Sequence, residues 1–228
     1  MASKFQIKTV EERIAQMKVD NPRHDEELIV RVANSLREDA AKQVVAMTPA
    51  RFQNADLTDA GILSNDIKTA VLDMLKPYPE GKSGIIFSGP AGCGKTHTAI
   101  ATMKWIAEQD PEIVKYFGLY PRIIQDLRSE FPDGSYNESG STWDQLNNES
   151  GLFGGLVIID DVASAKPSDF ELEKFFMMID RRTNEFFPTI ITTNIPFERF
   201  EEVFGQRISS RLLGYFTIIN FPDHDFRN

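Results

Sequence analysis

The sequence predicts an α/β protein: a parallel sheet covered by helices on both faces, preceded by a small helical region. Three observations carry that prediction. From Gly84 onward, short apolar runs alternate with helix-like stretches. A glycine-rich string, Gly89-Pro90-Ala91-Gly92-Cys93-Gly94-Lys95-Thr96, lies between the first such run and the stretch after it. A later apolar run, Leu156-Val157-Ile158-Ile159, ends in the carboxylates Asp160 and Asp161.

The elements follow in order. Val10 to Lys18 carries Val10, Ile14 and Met17 at helical spacing. Asn21-Pro22 offers an N-cap followed by proline at the first helical position. Asp25 to Met47 places Leu28, Ile29, Val32, Leu36, Ala40 and Val44 on one broad stripe, and Pro49 stops it. Residues 1–49 therefore read as a helical region and residues 50–228 as the α/β domain. Thr48 to Asp59 reads as a linker or entry loop. Ser64 can cap a helix that runs through Lys76, before Pro77 and Pro79. Strands are expected at Gly84–Ser88, Ile113–Leu119, Leu156–Asp160, Thr189–Thr193 and Tyr215–Phe221. Helices are expected at Lys95–Glu108, Arg122–Phe131, Trp143–Glu149, Asp169–Arg182 and Phe197–Phe204. The stretch from Pro132 to Ser141 reads as a polar loop.

At 228 residues the chain can bury one substantial core plus a short accessory region. No apolar run approaches the length of a membrane span, and Met1-Ala2-Ser3-Lys4-Phe5 leads into polar sequence rather than a signal peptide. The expectation is a cytoplasmic protein with no membrane contact. Cys93 is the single cysteine, which excludes an internal disulfide and a cysteine zinc site. The formal net charge of −9 argues against general polyanion binding. Any nucleic-acid contact must use a local basic strip, or one assembled across subunits.

The glycine string fits the phosphate-loop pattern G-x-x-x-x-G-K-[ST] at each fixed position. Its glycines let backbone N–H groups curl into an anion-binding nest. The helix starting at Lys95 aims its positive dipole end at phosphate. Lys95 is placed to reach the β- and γ-phosphates, and the Thr96 hydroxyl to ligate Mg²⁺. In an open α/β sheet, ligands sit at the carboxyl ends of the strands, where Asp160 emerges. Asp160 is then the Mg²⁺-holding carboxylate, and Asp161 the base or orienter of an attacking water. Asn194, after the apolar strand Thr189–Thr193, either orients that water or caps the turn before Pro196. Arg207 and Arg211 are four apart on one helix face. They are either surface ion-pair formers or arginines that act across an interface.

Phosphate loop, Asp-Asp, strand-end Asn and paired arginines, in this order, resemble the AAA+ ATPases, a P-loop NTPase fold. The string Gly94-Lys95-Thr96-His97, the Asp160-Asp161 pair, the run Pro188 to Asn194, and Gly205-Gln206-Arg207 with Arg211 narrow the resemblance. Together they look like the DnaC/DnaI helicase loaders and the related IstB transposition ATPases, from about Arg51-Phe52-Gln53-Asn54 onward. The resemblance implies ATP and Mg²⁺ as cofactors, with Gly89 to His97 as the nucleotide-binding string. It implies Arg211 as the trans-acting finger, with Arg207 as the neighbouring candidate. The segment Arg122 to Phe131 resembles a single-strand-DNA-contacting helix, with Arg128 and Phe131 at its basic and aromatic positions. A surface arginine and a core phenylalanine remain the alternative there. The ending Asn220 to Arg227 resembles that of DnaC-type loaders, which makes Arg227 a candidate nucleotide contact. Two departures stand out: the single cysteine cannot build the zinc module of DnaI-type loaders, and no separate helical lid is expected after the arginine pair.

The implied function is ATP-dependent replicative helicase loading: an ATPase that binds the helicase and single-stranded DNA and self-associates under ATP control. An IstB-like transposition regulator is the alternative. A nucleotide-gated adaptor with little hydrolysis is another, and a small-molecule kinase is disfavoured by Asn194 and the arginine pair.

Overall fold

A computed structural model describes Ala15 and residues 26–76, 80–109, 113–131, 142–147 and 155–226. The expected helix from Val10 to Lys18 apart from Ala15, the Asn21-Pro22 cap, the Pro132–Ser141 loop and Arg227 lie outside the described residues.

Helix α1 spans Glu26–Met47 and α2 spans Ser64–Met74. Strand β1 (Gly84–Ser88) leads through the glycine string into α3 (Lys95–Gln109). Then come β2 (Val114–Leu119), α4 (Tyr120–Glu130) and α5 (Thr142–Asn147). Strand β3 (Leu156–Val162), α6 (Asp169–Asn184), β4 (Thr189–Thr193), α7 (Phe200–Tyr215) and β5 (Phe216–Asn220) complete the fold. The five strands pair in parallel in the order β2-β3-β4-β1-β5. Each β1 and β4 residue is buried, as a parallel sheet covered on both faces requires.

Alternation along the strands sorts the core into two layers. Ile85, Phe87, Leu156, Ile158 and Ile190 pack with α1, α2 and α3. Ile86, Val157, Ile159 and Ile191 face α4 to α7. Three local signals set the helix ends. Ser168 and Glu171 form a reciprocal capping box at the start of α6. Pro121 occupies the first turn of α4, where its missing N–H costs nothing. Gly205, at φ 76°, breaks α7 between the Phe200–Phe204 turn and the turns that carry both arginines.

Two stretches differ from a simple linker-and-helix reading. The segment after α1 forms two short 3₁₀ turns, Ala50–Phe52 and Leu57–Leu63, and buries Ala55 and Leu57 in the α1–α3 layer. The apolar stripe of α1 divides along its length. Ala40 and Val44 join the core, whereas Leu28 and Val32 are exposed, as is Val30, which lies off the stripe. Arg182 is fully buried near the amino ends of β3 and β4. It donates to the Thr189 hydroxyl (2.7 Å) and to the carbonyls of Leu146 (2.6 Å), Gly155 (2.8 Å) and Pro188 (2.9 Å). Burial pulls its pKa down to about 9, so it stays cationic at neutral pH.

Candidate nucleotide site

The site is assembled at the carboxyl ends of β1, β3 and β4. Gly92 and Gly94 adopt φ values of 88° and 92°, which L side chains rarely reach. A Cβ on Gly94 would meet nothing closer than 3.8 Å, so its requirement is conformational rather than steric. Gly89 differs: a Cβ there would lie 2.8 Å from the Phe221 Cβ.

Lys95 is nearly buried, and its ammonium donates to the Gly89 carbonyl (2.8 Å), the Pro90 carbonyl (2.7 Å) and Asn194 Oδ1 (2.8 Å). An ammonium has three protons, and three oxygens take them. Asn194 Nδ2 in turn donates to Asp161 Oδ1 at 3.1 Å. One amide thus joins the phosphate-loop lysine to a carboxylate on a different strand.

The two aspartates share the site because the strand departs from regular geometry between them. Adjacent strand residues ordinarily point to opposite faces. Asp161 has φ 61°, and the β3–β4 register shifts between Ile159 and Val162. This local kink turns both carboxylates toward the loop. Aspartate tolerates the left-handed region better than most residues do. Asp160 Oδ1 accepts from the Thr96 hydroxyl (2.8 Å) and the Thr192 hydroxyl (2.7 Å), while Thr192 Oγ1 accepts from the Asp161 backbone N–H (2.8 Å). Burial raises the Asp160 pKa above its ordinary value, and the two hydroxyl donors oppose that rise.

Thr96, Asp160 and Thr192 offer oxygen donors only, the chemistry that suits Mg²⁺. Among the described residues no group of three or more His, Cys, Asp or Glu could hold a metal. A cation here would therefore draw on phosphate and water oxygens as well, as Mg²⁺ commonly does.

His97 Nε2 lies 2.9 Å from Asp59 Oδ2, with Phe52 edge-on to its ring at 6.3 Å. The segment after α1 is thereby tied to the first turn of α3. Cys93 is buried beside the Lys95 ammonium, 3.7 Å away. Pro90 and Ala91 form the exposed crest of the loop.

The arginine pair finds its partners on α6. Arg211 Nε donates to Asp180 Oδ1 at 2.7 Å, and its Nη2 contacts the same oxygen. Both guanidiniums lie over the Phe176 ring, Arg207 at 4.3 Å and Arg211 at 4.7 Å. Arg128 reaches Ser168 (3.3 Å) and Glu171 (3.4 Å) across the start of α6. The half-buried Phe131 ring meets Trp143 edge-on at 5.7 Å, with the Lys174 ammonium 4.3 Å from its centroid. Sequence reasoning missed Thr192, whose hydroxyl connects Asp160 to Asp161. The available signal was the double threonine just before Asn194.

The sheet order and the loop between β1 and α3 together define the AAA+ architecture of P-loop ATP-binding proteins. A crystal structure of the DnaC helicase loader has that fold. It superposes with a TM-score of 0.62 at 24% identity, covering 76% of this chain and 100% of that one. The chain belongs to the family described as IstB-like ATP binding protein, which it matches over residues 5–214. It is similar to the insertion sequence IS232 putative ATP-binding protein of Bacillus thuringiensis subsp. berliner, 28% identical over 166 residues, covering 70% of this chain and 62% of that protein. It is also similar to the replicative helicase loader DnaC of Escherichia coli strain K12, 26% identical over 130 residues, covering 57% of this chain and 50% of that protein. The matches thus span between half and two thirds of those relatives' lengths.

Proposed function

We propose that the protein is an ATP-dependent replicative helicase loader that hydrolyses ATP with Mg²⁺ in a self-assembled oligomer and contacts single-stranded DNA. The observation that carries the hydrolytic part is the Lys95–Asn194–Asp161 chain of hydrogen bonds. In this reading Lys95 holds the β- and γ-phosphates, and Thr96 and Asp160 hold Mg²⁺. Asp161 takes a proton from the attacking water. Asn194 sets the distance between the lysine and that carboxylate, so phosphate and water meet in register. Arg211, with Arg207 beside it, supplies charge to the nucleotide of a neighbouring subunit. Arg227, in this reading, is a further contact to nucleotide.

The exposed Leu28, Val30 and Val32 favour helicase binding through residues 1–49, because Ala40 and Val44 further along α1 already anchor that helix to the core. Arg128 is the phosphate contact for single-stranded DNA and Phe131 its stacking neighbour. That role requires Phe131 to exchange its Lys174 contact for a base. No helix among the described residues is long and apolar enough to cross a membrane. We place the protein in the cytoplasm, where its proposed partners act. Mixing the chain with its cognate replicative helicase, with and without ATP, tests the proposal, and the absence of a complex in both conditions refutes it.

A second reading is an IstB-like transposition regulator that coats duplex DNA. The family match and the IS232 relative favour it. The net charge of −9 opposes it, since coating a duplex calls for a basic surface. Binding to single-stranded against duplex DNA at matched salt separates the two, and a strong duplex preference selects the second.

A further inference from the structure

The segment that follows β5 does not leave the molecule. It folds back along the phosphate loop as a strap. The Phe221 N–H donates to the Ser88 carbonyl at 2.7 Å, and the Phe221 ring packs edge-on against Phe87 at 5.5 Å. Phe221 also fills the space that a Cβ on Gly89 would take. Five residues on, the Phe226 N–H donates to the Gly92 carbonyl at 3.1 Å. The Phe226 ring lies beside Gly94, where an added Cβ would sit 3.8 Å from it. His224 braces that ring edge-on, with centroids 4.5 Å apart.

Phe226 is nevertheless 65% exposed, the highest value among the large hydrophobic side chains of the described residues that stand in solvent. A ring fixed through its backbone to a glycine loop, in T-shaped contact with a second ring and largely exposed to solvent, has the form of a stacking platform. Sheet order says what it faces. Asp160 on β3 and Asn194 after β4 lie on one side of β1, and the strap follows β5 on the other. A triphosphate across the loop has its γ end at Lys95, Asp160 and Asn194. Its ribose and base then leave toward the β5 side, where Phe226 stands.

We infer that Phe226 is the base platform of the nucleotide site: the purine of ATP stacks on its open face, and the strap supplies the recognition of an aromatic base that the loop, which holds only phosphates, lacks. The inference rests on the nucleotide-binding reading of the loop. Stacking of a base on an aromatic side chain makes binding about 5- to 150-fold tighter.

The test is calorimetric titration of the full chain with Mg²⁺-ATP and, separately, with Mg²⁺-tripolyphosphate, which keeps the phosphates and lacks the base. Phe226→Ala is expected to weaken ATP about 5- to 150-fold and to leave tripolyphosphate unchanged, while Phe226→Tyr keeps wild-type ATP affinity. Wild-type ATP affinity in Phe226→Ala overturns the inference. So does an equal loss of both ligands, which would make the strap a support for the loop rather than a platform. A wild-type chain that binds neither ligand refutes the nucleotide reading itself and this inference with it.

Discussion

Thr192→Val removes one oxygen and keeps the side-chain shape, so it isolates the hydroxyl that links the two aspartates. That hydroxyl donates to Asp160 Oδ1 at 2.7 Å and accepts from the Asp161 N–H at 2.8 Å. A hydrogen bond to a charged group contributes about 1.5–3 kcal/mol, and an orphaned half-buried N–H adds to the loss, so at least about 2–3 kcal/mol is expected at neutral pH. The cost should depend on pH. Burial raises the Asp160 pKa, so the folded state keeps this proton to higher pH than the unfolded chain does. Asp160 therefore favours folding most at acid pH, and that contribution is lost as pH rises from about its ordinary carboxylate range through the folded pKa. Thr192 opposes the loss by stabilising the charged form. Removing it should raise the folded pKa further and cost more at neutral than at acid pH. At acid pH the lost bond joins neutral groups and contributes only about 1 kcal/mol. Urea unfolding at both pH values measures the difference. In an Asp160→Asn background the same substitution should cost about 1 kcal/mol less than in the wild type. A cost equal at both pH values and additive with Asp160→Asn would refute the assignment.

Three further outcomes follow from the geometry. Asp161→Asn should bind ATP with wild-type affinity and hydrolyse it about 100-fold or more slowly in single turnover, as loss of a general base implies. Arg211→Ala should leave nucleotide binding by the monomer intact and reduce oligomer-dependent turnover about 1000-fold. The Asp180 pair it breaks is partly exposed and should cost the fold less than about 1 kcal/mol in thermal unfolding. Arg182→Met keeps the volume but strips hydrogen bonds from three carbonyls and the Thr189 hydroxyl, so urea unfolding should show a loss above about 3 kcal/mol with ATP contacts unaltered.

Much of the fold was legible because its signals are local. β1 and β4 occupy the runs their apolar residues mark, and α3 starts at Lys95, within the last two residues of the glycine string. The ends of β3 and β5 were read a residue or two differently, since strand ends depend on partners that periodicity does not specify. The stripe on α1 was legible as a stripe, but not as one divided between core and solvent, because amphipathicity is the same whether the covering surface is near or far. Arg182 carried no signal at all. A buried arginine with four oxygen partners from three separate segments looks in sequence like any surface arginine at the end of a helix.

What the sequence determined by itself is chemistry attached to contiguous strings: the phosphate loop, the acid pair closing an apolar strand, and the parallel sheet that places both at one edge. Each signal is carried by residues within a few positions of one another, where backbone geometry and side-chain type act directly. The tertiary structure decided what connects them. It put Asn194 between Lys95 and Asp161, Thr192 between the two aspartates, the arginine pair on Phe176 and Asp180, and Phe226 against the loop. Each of these contacts joins residues at least 31 positions apart. Such partners are chosen by strand order and by the packing of helices on the sheet, and neither is written in any one segment of the chain.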